Sequence, residues 1–407
     1  MLIGVDASRA ARGMRTGTEA YSIHLIRALI ATVSEHRFRL YTPIPLPADI
    51  WSTLPPQQAI AAEVEAPRRP LPSIVDIQSA DSRLQTQVIP FPRLWTHLRL
   101  AWEVRRSPPD VLFVPAHVMP LVCPVPTVVT VHDLGYLHHP ESHRSFDRWY
   151  LDWTTRRHAR LAAHIIADSQ ATRTDLIRHC DASPERITVV YPGCDESLKR
   201  VEDPTTIAAA RARNGIDGCT HEARCGYLLY LGTLQPRKNL VRLVEAFARL
   251  EPSKRKLKLV LAGKRGWQYD DLFARVRSLG LQDQVVFTGY VVDSDKAALL
   301  SGAIALVYPS LYEGFGLPVL EAMACGTPVL TSDVSSLPEV AGGAALLVNP
   351  LDTDAIAQGI CRLLEDAPLR QSLIEMGYEQ VRRFSWASAA QQVLQVLVSV
   401  VCRPNNC

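Results

Sequence analysis

The sequence predicts two doubly wound α/β domains, each a largely parallel sheet wrapped by helices. Three observations predict it. Short runs of β-branched and apolar residues alternate with segments of helical period along nearly the whole chain, as strands do when helices join them. The pattern occurs twice, restarting after a polar stretch rich in glycine, cysteine and charge at 214–226. The length of 407 residues is also more than one hydrophobic core organises, since domains run to roughly 150 residues.

In the first half, strands are expected at 2–6, 38–41, 111–114, 127–132, 165–167 and 187–191, with helices at 18–33, 94–106, 145–162 and 171–179. The apolar stretch 111–131 has roughly the length of a membrane span. Pro115, Pro120, Pro124 and Pro126 interrupt it, and each removes a backbone donor that a spanning helix needs. It reads as two buried strands with a bent connection. The proline-rich segment 43–92 is weakly periodic and yields no element. Tyr191-Pro192-Gly193 is a hinge candidate, because proline fixes one dihedral and glycine frees the next.

In the second half the strands are YLLYLG, LKLVLAG, VVFTG, AIALVYPS, PVLTSD and AALLVNP, each followed by a helical pattern. The domains are expected over 1–193 and 194–385, with the amphipathic stretch 386–400 packing back on the first. Open parallel sheets bind ligands at the carboxyl ends of their strands. The two domains are therefore expected to face a central cleft that holds the chemistry.

Composition excludes several classes of function. With 47% hydrophobic and 21% charged residues, the chain is a folded one. A net charge of +3, with no basic stripe interleaved with stacking aromatics, argues against nucleic-acid binding. The nine cysteines form no C-x-x-C pair and lie mostly in apolar elements, so reduced thiols and no structural zinc are expected. The N-terminus begins at once with a strand and shows no leader, which points to the cytoplasm. No G-x-G-x-x-G follows the first strand, and Gly263-Lys264-Arg265-Gly266 lacks the upstream glycine of a P-loop, which excludes those two nucleotide motifs.

Two loops carry the chemistry. In YEGFGLPVLEAMACGTPVLTSD (312–333) a strand ends before Glu313, Pro318 sits at a helix start where its missing N–H costs nothing, and Gly326 ends that helix. Gly314 and Gly316 then let backbone N–H groups approach a ligand beside the positive end of the helix dipole, an arrangement that suits a diphosphate. A carboxylate accepts two hydrogen bonds side by side, matching vicinal hydroxyls of a sugar, so Glu313 and Glu321 can hold one sugar each. Alone, Glu321 would merely complement the dipole and Glu313 would be a solvated turn residue. The second loop, LGTLQPRKN (231–239), again follows a strand and carries Arg237 and Lys238. Such cations are ordinarily solvated, yet these sit at the ligand-binding end of a strand in the same domain as the acidic loop.

At these residues the chain resembles the retaining, family-four (group 1) glycosyltransferases of the GT-B fold, in their mannosyltransferase-like branch. The resemblance rests on the E-x7-E spacing within EGFGLPVLEAMA (313–324), on PRKN (236–239) and on VHDL (131–134). It implies a GT-B architecture of two Rossmann-like domains, a nucleotide-sugar donor and a glycan or lipid-linked acceptor, with no cofactor and no metal. GDP-mannose is the favoured donor and a UDP-sugar the alternative.

By the same resemblance Glu321 would bind the ribose, Glu313 with the backbone of Gly314, Phe315, Gly316 and Leu317 would hold the donor sugar, and Lys238 would contact the diphosphate. Thr233 stands where an arginine is common, leaving Arg237 to supply the second charge. His132 would reach the donor sugar. In the loop 12–19 only Gly17 fits the family's glycine-rich pattern, Glu19 replacing a frequent second glycine. The base would meet the segment 286–290, including Gly289 and Tyr290.

Two matters stay open in the sequence. Arg144, Arg148, Arg156, Arg157 and Arg160, interleaved with Trp149 and Trp153, make a basic aromatic helix that either touches an anionic bilayer as a peripheral contact or is a solvated face. A sugar-nucleotide epimerase or hydrolase of the same fold, or a non-catalytic sugar-nucleotide binding protein, is the rival reading of the site.

Overall fold

The apolar run at the start of the chain forms β1 (Leu2–Asp6), and the helix Gly17–Thr32 returns the chain to β2 (Arg37–Thr42), which lies parallel to it. The computed structural model describes all residues except 13–16, 33–34, 48–74, 79–81, 92–93, 117, 141–144, 217–225, 252–256, 267–269 and 403–407. The chain divides into two compact units, one of 1–134, 149–193 and 385–407, the other of 135–148 and 194–384. The segment 135–148, expected in the first domain, therefore groups with the second.

The first unit holds an eight-stranded sheet. After β1 and β2 come β3 (Val75–Gln78), β4 (Leu84–Val88), β5 (Val111–Val114), β6 (Thr127–Val131), β7 (His164–Ala167) and β8 (Ile187–Val189), in the order β3-β4-β2-β1-β5-β6-β7-β8. Every pairing is parallel except β3 with β4. Those two strands arise from the proline-rich segment that showed no period. The expected helix at 94–106 is a π-turn, Trp95–Leu100, running into a short α-helix, Ala101–Arg106.

The stretch 386–400 forms the helix Trp386–Val401, whose Ala390, Val393 and Leu397 share one buried cluster with Ile3, Ile26 and Phe113. This stretch is apolar because it belongs to a core. At the expected hinge, Gly193 has no positive φ. What the site requires is the absence of a side chain, since a Cβ there would lie 2.3 Å from the backbone nitrogen of Trp386.

The second unit holds β9 (Tyr227–Leu231), β10 (Lys258–Ala262), β11 (Val285–Gly289), β12 (Ala305–Tyr308), β13 (Val329–Ser332) and β14 (Leu346–Val348). They are all parallel, in the order β11-β10-β9-β12-β13-β14. Numbered within the unit this is 3-2-1-4-5-6, whose order reverses between β9 and β12, the place where such sheets bind ligands. Beside it, the loops after β9 and β10 touch. Gly263 has φ +149, and a Cβ on it would stand 1.9 Å from the Gly232 carbonyl oxygen. Backbone cannot yield that far. Gly263→Ala is expected to lower stability by about 3 kcal/mol or more, and an unchanged midpoint in urea unfolding would show that this contact is dispensable.

Candidate active site

At the carboxyl end of β9 the chain passes through a single 3-10 turn, Pro236–Lys238, and Asn239 in the left-handed conformation (φ 62) opens the helix Leu240–Ala248. The Asn239 side-chain amide donates to the carbonyls of Pro309, at 3.0 Å, and Pro350, at 2.6 Å, tying this loop to the one after β12. The turn thereby aims both expected cations at Glu313. Lys238 Nζ donates to Glu313 Oε1 and, at 2.9 Å, to the Tyr308 hydroxyl. Arg237 Nη1 donates to the Tyr312 carbonyl at 3.0 Å and lies 3.4 Å from Glu313 Oε2.

Glu313 is therefore a buried carboxylate between two cations. Burial works against its ionisation, but Lys238 and then Arg237 outweigh burial and hold its carboxyl below the usual carboxylate range. The phenols of Tyr230 and Tyr308, stacked at 5.6 Å, are pushed well above their ordinary range by burial and by the Glu313 charge.

The loop that carries Glu313 is fixed from below. The Glu313 amide donates to Ser335 Oγ at 3.0 Å, and Ser336 Oγ donates to the carbonyls of Glu313 and Phe315 at 3.0 and 2.7 Å. Gly316 caps the helix Leu317–Ala324 at φ +112, with Pro318 in its first turn. Gly314, Phe315 and Gly316 are buried, Phe315 meeting Phe384 edge to face at 5.7 Å.

Glu321, one turn along that helix, has a cation of its own. Lys296 Nζ lies 3.1 Å from Glu321 Oε1, and this carboxylate is the main reason that the Lys296 ammonium is held above its usual range. The two acids are thus held by separate cations. Lys296 was not among the expected residues, because its helix, Asp293–Ser301, carries no motif and the pairing exists only in the fold. Thr233 is half-buried and its carbonyl accepts from Tyr230 at 3.2 Å. Gly289 ends β11 at φ +72, and Tyr290 beside it is exposed.

The remaining expected residues belong to the first unit. Gly17 opens its helix and is exposed, while residues 13–16 of the loop 12–19 fall outside the described residues. Glu19 is buried and pairs with Arg9 at 3.3 Å and Arg12 at 3.8 Å. His132 follows β6, and both of its ring nitrogens face acceptors. Nδ1 lies 2.5 Å from Asp168 Oδ2 and Nε2 lies 3.0 Å from the Pro115 carbonyl oxygen. The ring therefore has no nitrogen left over for a sugar hydroxyl unless one of these bonds is exchanged.

Burial disfavours a charged His132, yet Asp168 outweighs burial and raises its basicity. Asp168 is itself buried, and its Oδ1 has no hydrogen-bond partner among the described residues. Sequence reasoning missed Asp168, although an acid closing the apolar strand Ile165-Ile166-Ala167 is a legible anomaly.

Residues 15–198 match the model of the family described as Glycosyltransferase Family 4, and residues 223–380 that of Glycosyl transferases group 1. The O-antigen chain mannosyltransferase B of Escherichia coli is 35% identical over 268 residues, 66% of this chain and 68% of that one. The serotype-specific mannosyltransferase WbdA of the same organism is 30% identical over 67% of this chain, which spans only 33% of its length. Among solved structures, Anabaena HepE in complex with UDP and glucose superposes with a TM-score of 0.71 at 19% identity, covering 98% of this chain and 99% of that one. WaaG, a glycosyltransferase involved in lipopolysaccharide biosynthesis, gives 0.68 at 18%, covering 98% and 99%. The two sheets and these neighbours give the GT-B fold, and the chain belongs to the group 1 glycosyltransferases.

Proposed function

We propose that the protein is a retaining, metal-independent hexosyltransferase that takes mannose from GDP-mannose and passes it to a glycan or lipid-linked acceptor in the cytoplasm. The observation that carries this reading is the ionised Glu313 between Lys238 and Arg237, at the sheet's switch point. An arriving diphosphate competes for both cations, and its approach releases Glu313 to accept hydroxyls of the donor sugar. Lys296 orients Glu321 toward the ribose. The names of the mannosyltransferase relatives support mannose.

Breaking the bond between the anomeric carbon and the phosphate oxygen leaves negative charge on the diphosphate, which Lys238 and Arg237 stabilise. The acceptor oxygen bonds to the same carbon on the same face, and its proton passes to the departing phosphate, giving the glycoside and GDP.

Incubation with GDP-mannose and a mannose-terminated oligosaccharide tests this. GDP release should depend on the acceptor, and NMR should find the donor's anomeric configuration in the product. An inverted anomer would refute retention, and faster turnover of UDP-glucose would replace the donor. Release without acceptor would mark a hydrolase, and no release a binding protein.

A further inference from the structure

The aromatic helix singled out in the sequence is one half of a larger surface. Ser145–Leu161 forms a helix that buries Thr154, Thr155 and His158 and exposes Trp149, Trp153 and Leu161. Arg144 falls outside the described residues. Trp149 and Trp153 stack at 6.4 Å. A second exposed row lies on Trp95–Arg106, where Leu98 is 49% and Trp102 63% exposed. They are four residues apart, hence on one face.

His97 Nε2 and the Tyr150 hydroxyl, 2.5 Å apart, join the two helices. Each of these residues neighbours an exposed one in sequence, Leu98 and Trp149 respectively. Beside the longer helix, Arg157 donates to the Leu121 carbonyl, and Val122 next to it is 60% exposed. The exposed charges around these residues are mostly cationic, with Arg148 beside the exposed Asp147. Arg105, Arg106 and Arg160 are exposed, whereas Glu103 is buried against Arg99 and Asp152 pairs with Arg156.

We propose that this surface docks the protein on an anionic lipid bilayer. Tryptophan and leucine with arginine at the margin suit the boundary between headgroups and acyl chains, where an apolar body and a polar rim are both satisfied, and anionic headgroups complement the arginines. A second copy of the chain fits less well, because a self-complementary contact would set arginine against arginine. The substituted residues, Trp102, Arg105, Trp153 and Arg160, all lie in the first unit, and failure of the proposal would leave the glycosyl-transfer reading untouched.

The test is sedimentation of the full chain with phosphatidylcholine vesicles, with and without phosphatidylglycerol. Binding is expected only with the anionic lipid, weakening as salt is raised. Trp102→Ser with Trp153→Ser, and Arg105→Glu with Arg160→Glu, should each raise the lipid concentration for half-binding by about tenfold or more. Arg382→Glu, in the second unit, should change nothing. Lipids with brominated acyl chains should quench the native tryptophans, a readout that needs no variant. Absence of binding or quenching, or equal binding by all variants, overturns the proposal. So does a concentration-dependent dimer lost in the tryptophan variant, which would make a second copy the occupant.

Discussion

Replacing Lys238 by alanine is expected to lower kcat by on the order of 10²–10³, the loss that follows removal of one donor aimed at developing negative charge, with a much smaller rise in the donor Kd. The same change strips Glu313 of its closest cation and leaves Arg237, 3.4 Å away. Breaking a buried pair from one side costs about 3–5 kcal/mol, so turnover is to be compared well below each variant's Tm. Adding Glu313→Gln to Lys238→Ala should restore most of the stability and none of the turnover.

The sign with pH follows from the depressed carboxyl of Glu313. Its pairing stabilises the fold fully above the ordinary glutamate value of about 4.3 and is lost as pH falls through the lower folded value. Lys238→Ala should therefore unfold at higher pH on acidification. An unchanged kcat would sink the assignment.

Asp168→Asn is expected to cost about 3 kcal/mol near pH 6, since it leaves His132 without its buried counter-charge. A histidine whose folded pKa is raised contributes stability that is fully present below about 6.5 and disappears as pH rises through the folded value. The buried Asp168 carboxyl is itself raised by burial, which also penalises the native protein at high pH. The penalty of the variant should shrink as pH rises through the folded value, where the imidazole loses its proton. Ring-proton NMR gives the independent readout. His132 should titrate above its ordinary range in the native protein and at or below it in the variant. An ordinary titration in the native protein would show that Asp168 does not govern this ring.

Much of this architecture is written locally. The strands β1, β5 and β6 are runs of apolar residues, Pro318 and Gly326 bracket the helix that carries Glu321, and local punctuation of this kind survives in any tertiary context. Arg237, Lys238 and Glu313 were legible as a group because each follows a strand in one sheet.

Other features were hidden for physical reasons. β3 and β4 lie in a proline-rich stretch whose polar Gln85 and Gln87 mask the alternation. Lys296 meets Glu321 across 25 residues, and Asp168 meets His132 across 36. Pairings at that range leave no periodic trace. The segment 135–148 groups with the second unit although its neighbours on both sides in the chain belong to the first, and no local feature of the sequence marks that exchange.

The helix Trp386–Val401 is the last described element, yet its buried face completes the core against the sheet that begins at Leu2. On the ribosome, the first unit emerges with part of its core exposed and keeps it so while the whole second unit is synthesised. At roughly 5–20 residues per second that interval is on the order of 10–40 s, long compared with the folding of an ordinary domain. The first unit is thus begun before the second and completed after it.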